Sequence, residues 1–345
     1  MESPPSSRRS DTPRPPATTE DPALILRAGG ARARLLPGEG AVVDELSVDG
    51  MSVLARTPWA DQVAWADQVP WADQVAWADQ VAWADRVTRG APAATEDEWV
   101  RRWRGGWQLC APTAGAPEPG AHPRQYFHGA ASQAPWRVLA QETARAVVEW
   151  SDDDVRITRE WTLAPRSLTA STTLVQTGGR PRPLSVAEHL ILGGDLFAPL
   201  SRGEGLRLET DAEVSPLGYD GSPTGAGTEA FGGRWSDFDA ATPARLGALT
   251  PRGERRVIVR AGESSVEVTW TGLPHALLWE EAGASAGEPW NGQVFALGVE
   301  PTTTPHGIGS AAPEGVVELR PGQSLTWTTT LRVRPASRSA ERPAP

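Results

Sequence analysis

Short segments of alternating apolar and polar residues dominate the chain between residues 41 and 333. Gly, Pro, Asp and Ser cluster between these segments, as they do in the tight turns that join antiparallel strands. The chain contains 35 Gly and 32 Pro, and no helical pattern extends beyond about two turns. Because strands do not alternate with helices, the sequence predicts an all-β fold, either an antiparallel sandwich or a barrel.

The first predicted strands form a hairpin, in which Ala41–Val48 meets the turn Asp49-Gly50 and returns as Met51–Ala55. The other predicted strands are Trp136–Gln141, Ala144–Trp150, Val155–Leu163, Ser167–Gln176, Arg256–Arg260, Ser265–Thr271, Ala276–Trp279, Gln293–Gly298, Val316–Leu319 and Leu325–Val333. No stretch between residues 90 and 335 resembles a linker. We therefore predict one domain over residues 23–335.

Three segments fall outside this pattern. Residues 1–22 and 336–345 are too rich in Ser, Pro and charge to bury apolar surface, which predicts disordered tails. The predicted insertion 58–87 repeats WAD(Q/R)V five times, with Trp at every sixth position from Trp59 to Trp83. On a helix, successive Trp would point about 240° apart, and Pro70 interrupts helix or strand. The repeat is therefore predicted to be an expanded surface loop, with a Trp-rich contact surface as the alternative.

Charge and residue types exclude several kinds of function. All 33 cationic side chains are Arg against 43 acidic ones, so the chain has no lysine for a Schiff base or a phosphate loop. An acidic chain without a basic stripe is a poor nucleic-acid ligand, and no apolar run is long enough for a transmembrane helix. The lone Cys110 precludes an internal disulfide and, with no signal peptide, favours the cytoplasm. No metal-binding spacing of His is found, so no metal is expected.

Possible acid/base residues occur in two apolar strands. Glu188 and His189 begin one of them, and as strand neighbours they are predicted to point to opposite faces. Glu300 ends another, where partial burial would raise the pKa of its carboxyl group. Glu280-Glu281 is predicted to be a solvated pair. A His and a Glu can act as an acid/base pair near neutral pH, but the residue pattern alone leaves a structural role open for each.

Motifs in the order found here resemble those of the aldose 1-epimerase (galactose mutarotase-like) superfamily. The resemblance covers residues 28–333 apart from the insertion. It rests on Leu46-Ser-Val-Asp-Gly50, on Glu-His before an apolar strand and on Leu-Gly-Val-Glu-Pro. Arg104-Gly-Gly, followed by Cys-x-Pro and later His-Gly, resembles the hexose-6-phosphate mutarotase-like branch in particular. The resemblance implies a large antiparallel β-sandwich, the galactose mutarotase-like supersandwich, with an open sugar cleft.

The same resemblance implies an isomerase that interconverts the α and β anomers of a small-molecule carbohydrate without a cofactor. It assigns the general base to Glu300 and the general acid to His189. The implied substrate-binding residues are His128, Arg104, Gln108 and Trp279, with Asp220 or Asp237 as an additional acidic one. The sugar, its phosphorylation and the oligomeric state stay open.

Three alternatives to the mutarotase are retained. The first is a non-catalytic carbohydrate-binding protein on the same fold. The second is a sugar lyase or hydrolase, which would need a second carboxylate at a defined distance from Glu300. The third is an interaction role for the WADQV repeat.

Overall fold

The computed structural model describes residues 23–60, 92–116, 126–306 and 315–336. The predicted tail 1–22, residues 337–345 of the second tail and residues 61–87 of the predicted insertion lie outside the described residues. The described strands, in chain order, are β1 Leu24–Ala28, β2 Ala31–Leu36, β3 Val42–Val48, β4 Met51–Ser52, β5 Trp107–Cys110, β6 Arg137–Gln141, β7 Arg145–Ser151, β8 Val155–Ala164, β9 Ser167–Gln176, β10 Arg182–Leu184, β11 Ala187–Leu192, β12 Leu206–Glu209, β13 Ala212–Leu217, β14 Glu229–Ala230, β15 Asp237–Phe238, β16 Arg245–Pro251, β17 Arg256–Ala261, β18 Ser264–Thr271, β19 His275–Ala282, β20 Phe295–Thr302, β21 Val317–Leu319 and β22 Ser324–Arg334.

Helices are short throughout the described part of the chain. They are α1 (Glu96–Val100), α2 (Ala198–Ser201) and three single 3-10 turns at Ala130–Ser132, Gly194–Phe197 and Gly233–Trp235. None of these helices has the length and apolarity needed to cross a bilayer. The absence of long helical patterns in the sequence therefore agrees with the described structure.

Two large antiparallel sheets make up the fold. One has eleven strands, in the order β1-β2-β3-β5-β11-β20-β19-β16-β13-β14 with β4 beside β3. The other has nine, in the order β15-β12-β17-β18-β22-β9-β8-β7-β6, and β10 pairs with β21 in a small third sheet. The predicted first hairpin is confirmed: Asp49 and Gly50 both have positive φ, as a two-residue type I′ turn requires. The predicted all-β antiparallel sandwich is confirmed.

The two large sheets bury a common core. Trp107 of β5 and Trp161 of β8 belong to different sheets, and their rings meet edge to face at 4.9 Å. Both indoles are fully buried. Burial of such large apolar groups, at about 25 cal/mol per Å² removed from water, is the main force that holds the sheets together.

A buried ion pair crosses the same core. Glu188 of β11 accepts hydrogen bonds from both terminal nitrogens of Arg159 on β8, at 2.8 and 2.6 Å. It also accepts the indole N–H groups of Trp107 at 2.7 Å and Trp327 at 2.6 Å. These four bonds offset the large desolvation penalty of an isolated buried carboxylate.

Strand alternation fixes the face on which His189 lies. Because Glu188 points into the space between the sheets, its neighbour His189 points to the opposite face of the eleven-stranded sheet. The predicted separation of these two side chains is confirmed. The face that carries His189 is the one that holds the candidate site.

Candidate active site

His189 and Glu300 lie opposite each other on adjacent strands. The pairs Ala187–Thr302 and Ile191–Gly298 flank them in the β11–β20 register, which places His189 directly across from Glu300. Directly opposed side chains of an antiparallel pair have their Cβ atoms about 4.5–5.5 Å apart. The structure therefore brings the two predicted acid/base residues together, and both line one cavity of about 280 Å³.

The Glu300 carboxyl group is buried without a described partner. Its side chain is 6% exposed, and no hydrogen bond or ion pair to a described residue accompanies that burial. Burial raises the pKa of Glu300 to about 8. Gly298, two residues earlier on the same face, makes room for it: a Cβ there would lie 2.3 Å from Glu300 Oε1.

The two histidines are neighbours and both are neutral. The rings of His128 and His189 lie 5.2 Å apart. Burial lowers the pKa of His189 to about 3, and burial together with the nearby His189 places the pKa of His128 well below its usual range. The amide N–H of Gly115 donates to His128 Nδ1 at 3.0 Å, so the neutral His128 ring carries its proton on Nε2.

The segment that carries His128 has a constrained backbone. His128 has a φ of 57°, a conformation that is uncommon outside glycine. The next residue, Gly129, has a φ of 74°, and a Cβ at that position would lie 2.1 Å from the carbonyl oxygen of Ala111. The lack of a side chain at Gly129 therefore lets this loop lie directly against the end of β5.

Aromatic rings form the walls of the cavity. Trp99 and Trp103 are stacked at 5.7 Å with an interplanar angle of 21°, and Trp99 packs edge-on to both His128 and His189. Trp279 and Trp290 are 5.9 Å apart and continue this wall. The indoles give the cavity a large, rigid apolar surface beside its few polar groups.

Helix α1 places Trp99 by a local capping arrangement. The side chain of Thr95 accepts the N–H of Glu98 at 3.4 Å, and the carboxylate of Glu98 accepts the N–H of Ala94 at 2.9 Å. Thr95 and Glu98 have the spacing of a capping box, but Glu98 accepts the amide of Ala94 in place of the amide of Thr95. This arrangement starts a helix only five residues long at the edge of the cavity.

The mouth of the cavity is acidic. Glu96 from α1 and Tyr219-Asp220 from the loop after β13 line the mouth, and these three residues are exposed. His189 and Glu300, which form the floor of the cavity, are buried. The hydroxyl and the amide of Ser222 donate to Asp220 Oδ1 at 2.7 and 3.0 Å, and they hold the pKa of Asp220 below its usual range. Of the two additional acids considered from the sequence, the structure places Asp220 at the cavity.

Asp237 lies elsewhere. It is an exposed residue on β15, the edge strand of the nine-stranded sheet. It does not line the cavity. Asp237 is therefore dropped as a candidate binding residue.

The structure places Arg104 outside the cavity, and its role in substrate binding stays a prediction. Its guanidinium is already used within the protein: Nε and Nη2 donate to the two carboxylate oxygens of Glu39, and Nη1 donates to the carbonyl of Ala60. A forked pair of this kind satisfies the geometry that Arg would otherwise offer to a ligand. Arg104 lines a separate small depression with Glu39.

The role predicted for Gln108 likewise stays a prediction. Gln108 pairs with His189 across β5–β11, so it lies on the same face of the sheet. However, Trp99 and Trp103 form a wall shared by the cavity and the small depression, and Gln108 lies on the depression side. Gln108 is therefore a cross-strand neighbour of His189 that lines the small depression and not the cavity itself.

The prediction of a solvated Glu280-Glu281 pair is wrong. Both side chains are fully buried. Glu280 pairs with Arg245 from the adjacent strand β16. Glu281 accepts the amides of Ala284 and Ser285 at 2.6 and 3.1 Å, and so closes the turn after β19.

The first WADQV copy contributes to the wall behind the cavity. Trp59 is 9% exposed, its Nε1–H donates to the carbonyl of Val100 at 3.0 Å, and its ring meets Trp290 at 5.8 Å. Trp59 is therefore not part of a surface loop, because the chain is still packed at this position. The other Trp residues of the repeat lie outside the described residues.

Sequence reasoning missed the lining residues Trp99, Trp290, Tyr219 and Glu96. The Thr95–Glu98 spacing before Trp99, which is that of a capping box, was the local signal available. The described residues contain no group of three or more His, Cys, Asp or Glu side chains placed to hold a metal ion.

Solved structures with the same fold match this chain over most of its length. The Slr1438 protein from Synechocystis sp. PCC 6803 has a TM-score of 0.64 at 20% identity, over 95% of this chain and 99% of that chain. A galactose mutarotase-like protein from Lactobacillus casei ATCC 334 has a TM-score of 0.61 at 12% identity, over 91% and 100%.

A GalM/aldose epimerase homologue from C. elegans has a TM-score of 0.58 at 16% identity, over 92% of this chain and 99% of that chain. No protein-family model matches the sequence, and no curated protein matches it. Identities this low establish the fold and nothing finer. The two large antiparallel sheets and these neighbours together show that the chain has the galactose mutarotase-like sandwich fold, as its sequence motifs predicted.

Proposed function

We propose that the protein interconverts the α and β anomers of an aldose. One observation carries the proposal: an imidazole and a carboxyl group, His189 and Glu300, are cross-strand neighbours in a cavity with aromatic walls. Indole surfaces suit the apolar C–H face of a pyranose ring. The two polar groups beside them suit proton transfer at its anomeric end.

The reaction needs one proton acceptor and one proton donor. A base removes the proton of the C1 hydroxyl while an acid protonates the ring oxygen, and the C1–O5 bond breaks to give the open-chain aldehyde. Rotation about the C1–C2 bond then presents the other carbonyl face to the C5 hydroxyl. Ring closure runs the same proton transfers in reverse, so no proton, electron or cofactor is consumed.

The His189–Glu300 pair supplies one exchangeable proton for this cycle. With the pKa of Glu300 near 8 and that of His189 near 3, the proton rests on Glu300 at neutral pH. In this form Glu300 donates to the ring oxygen and His189 accepts from the C1 hydroxyl. Transfer of that one proton from Glu300 to His189 reverses these roles: Glu300 becomes the base and His189 the acid, as the family resemblance implies. Both forms carry one proton in total.

His128 donates a hydrogen bond to the substrate in this scheme and does not exchange a proton with it. Its Nδ1 is occupied by the amide of Gly115, so the N–H on Nε2 is the one left to donate to a substrate oxygen. Its ring lies 5.2 Å from that of His189. We propose that His128 positions the sugar, and that Trp279 packs against it.

The test is the anomerisation rate of freshly dissolved α-D-glucose and α-D-galactose, followed by polarimetry or proton NMR. The wild type should accelerate the rate above the buffer background, and Glu300→Gln should remove about 10²–10⁴-fold of that acceleration. Glu263→Gln, at the exposed β17–β18 turn, is the matched control and should leave the rate unchanged. If the wild type binds these sugars without accelerating anomerisation, the protein is a carbohydrate-binding protein on the same fold.

A further inference from the structure

The charges around the cavity are unbalanced. Its described lining includes the carboxyl groups of Glu96 and Asp220 at the mouth and that of Glu300, which holds its proton at neutral pH, and it includes no arginine. The sequence has no lysine, so arginine is the only permanently charged cationic side chain in the protein. The candidate arginine, Arg104, is paired with Glu39 on the far side of the Trp99–Trp103 wall.

Electrostatic coupling links the acidic groups at the mouth. The pKa of Glu96 is raised by partial loss of solvent at the cavity mouth and then by the negative charges of Asp97 and Asp220. Both histidines that line the cavity are neutral, so they do not compensate these charges. An anionic ligand would therefore enter against repulsion, and a cationic one would relieve it.

Two observations apart from the mouth carboxylates of Glu96 and Asp220 point to a ligand. Glu300 is a polar side chain more than nine-tenths buried, without a described partner, and it lines the same cavity. Between floor and mouth stand the rings of Trp99, Trp103, Trp279 and Trp290, joined by centroid contacts of 5.7 to 6.1 Å. Aromatic walls with carboxylates beside them are the surroundings in which proteins bind organic cations.

We propose that the preferred substrate is an amino sugar, with a protonated amine remote from C1, and that sugar phosphates are disfavoured. This inference rests on the proposed function for its orientation. With C1 at His189 and Glu300 on the buried floor, the far end of the sugar lies toward Glu96 and Asp220 at the exposed mouth. The amine then contacts the carboxylates, and the adjoining ring faces stabilise its charge.

Three probes that differ only at C6 test the proposal: 6-amino-6-deoxy-D-glucose, D-glucose and D-glucose 6-phosphate. Their dissociation constants are measured by calorimetry at pH 7 and low ionic strength, and their anomerisation by NMR. The amino sugar should bind about tenfold more tightly than glucose, and the phosphate more weakly than glucose. Added salt should shrink both differences, because it screens charges at an exposed mouth.

The matched pair of double variants identifies the groups responsible. Glu96→Gln/Asp220→Asn should bring the amino sugar within about twofold of glucose. Glu263→Gln/Asp237→Asn removes the same charge from exposed sites outside the cavity and should keep the preference. Circular dichroism and thermal unfolding show whether each variant is folded.

The outcomes separate this inference from the proposed function. Tightest binding of the phosphate, a preference that survives Glu96→Gln/Asp220→Asn, or no binding of any probe would each overturn the amino-sugar proposal. Acceleration of glucose anomerisation with no preference for the amine would overturn it and leave the enzyme standing. Preferential binding of the amino sugar with no acceleration of any probe would support the ligand class and refute the isomerase.

Discussion

Glu300 lies directly across the β11–β20 strand pair from His189, and Gly298 lies two residues before Glu300 on the same face. This relationship depends on strand register, since a shift by one residue would send Glu300 into the core between the sheets. Two consecutive residues of β11 show how different the two faces of the sheet are. Glu188 is inside the sandwich with Arg159, whereas His189 packs against Trp103 at the cavity.

The pH dependence of anomerisation should show a plateau that ends near pH 8. The His189–Glu300 pair works when it carries one proton, and with pKa values of about 3 and about 8 it carries one throughout the interval between them. Above pH 8 the last proton leaves Glu300, so no donor remains in the pair. We expect kcat/KM to be flat from pH 5 to 7 and to fall about tenfold per pH unit well above 8. A rate that rises through pH 8 would contradict this account.

Glu300→Gln should stabilise the protein at high pH. The pKa of the carboxyl group is about 8 in the folded chain against an ordinary value of 4.5, so its favourable contribution is fully present below pH 4.5 and is lost as pH rises through 8. Glutamine does not titrate. The variant should therefore match the wild type near pH 4.5 and exceed it by roughly 2–4 kcal/mol at pH 8 in urea unfolding.

Glu263→Gln serves as the control for that comparison, because it lies in an exposed turn. Its effect on unfolding should be small and the same at both pH values. A pH-independent effect of Glu300→Gln would show that burial of Glu300 does not perturb its ionisation.

Gly298→Ala should impair the site while keeping the fold. The added methyl group would lie 2.3 Å from Glu300 Oε1, and the neighbouring contacts with Trp279 and Ile191 are 3.1 and 3.2 Å. The carboxyl group is the movable end of a side chain, so it should rotate away from His189. We expect a loss of anomerisation of at least tenfold, with loss of stability under about 2 kcal/mol.

Gly179→Ala is the matched control for Gly298→Ala, because a Cβ at Gly179 meets nothing within 4 Å. Its anomerisation rate should equal that of the wild type. Unchanged activity in Gly298→Ala would mean that the position of Glu300 over Gly298 is not required for catalysis.

Glu188→Gln should destabilise the sandwich strongly. The substitution leaves the Arg159 guanidinium buried without its counter-charge, which costs about 3–5 kcal/mol in comparable cases. Urea unfolding measures the loss. The exposed pair Glu209–Arg260 provides the comparison, and Glu209→Gln should cost under about 1 kcal/mol. Equal losses in the free energy of unfolding at the two sites would show that breaking the buried ion pair costs no more than breaking an exposed one.

The fold followed from local patterns in the sequence. Alternation along β8, β9 and β22 encodes strands whose inward side chains are mostly apolar, and the Asp49-Gly50 turn encodes the β3–β4 hairpin. Period-two alternation also placed Glu188 and His189 on opposite faces before any tertiary information. These features depend on residues close in sequence, so the chain alone determines them.

The site was decided by contacts between residues far apart in the chain. The residues next to Arg104 in sequence do not indicate that its guanidinium pairs with Glu39. The residues next to Glu300 likewise do not indicate that its carboxyl group is buried without a described partner. Trp99 and Asp220 meet at one cavity although 121 positions separate them. Sequence supplies the types of reactive groups, but pKa, pairing and access depend on which distant strands and loops surround them. Only the tertiary structure sets those surroundings.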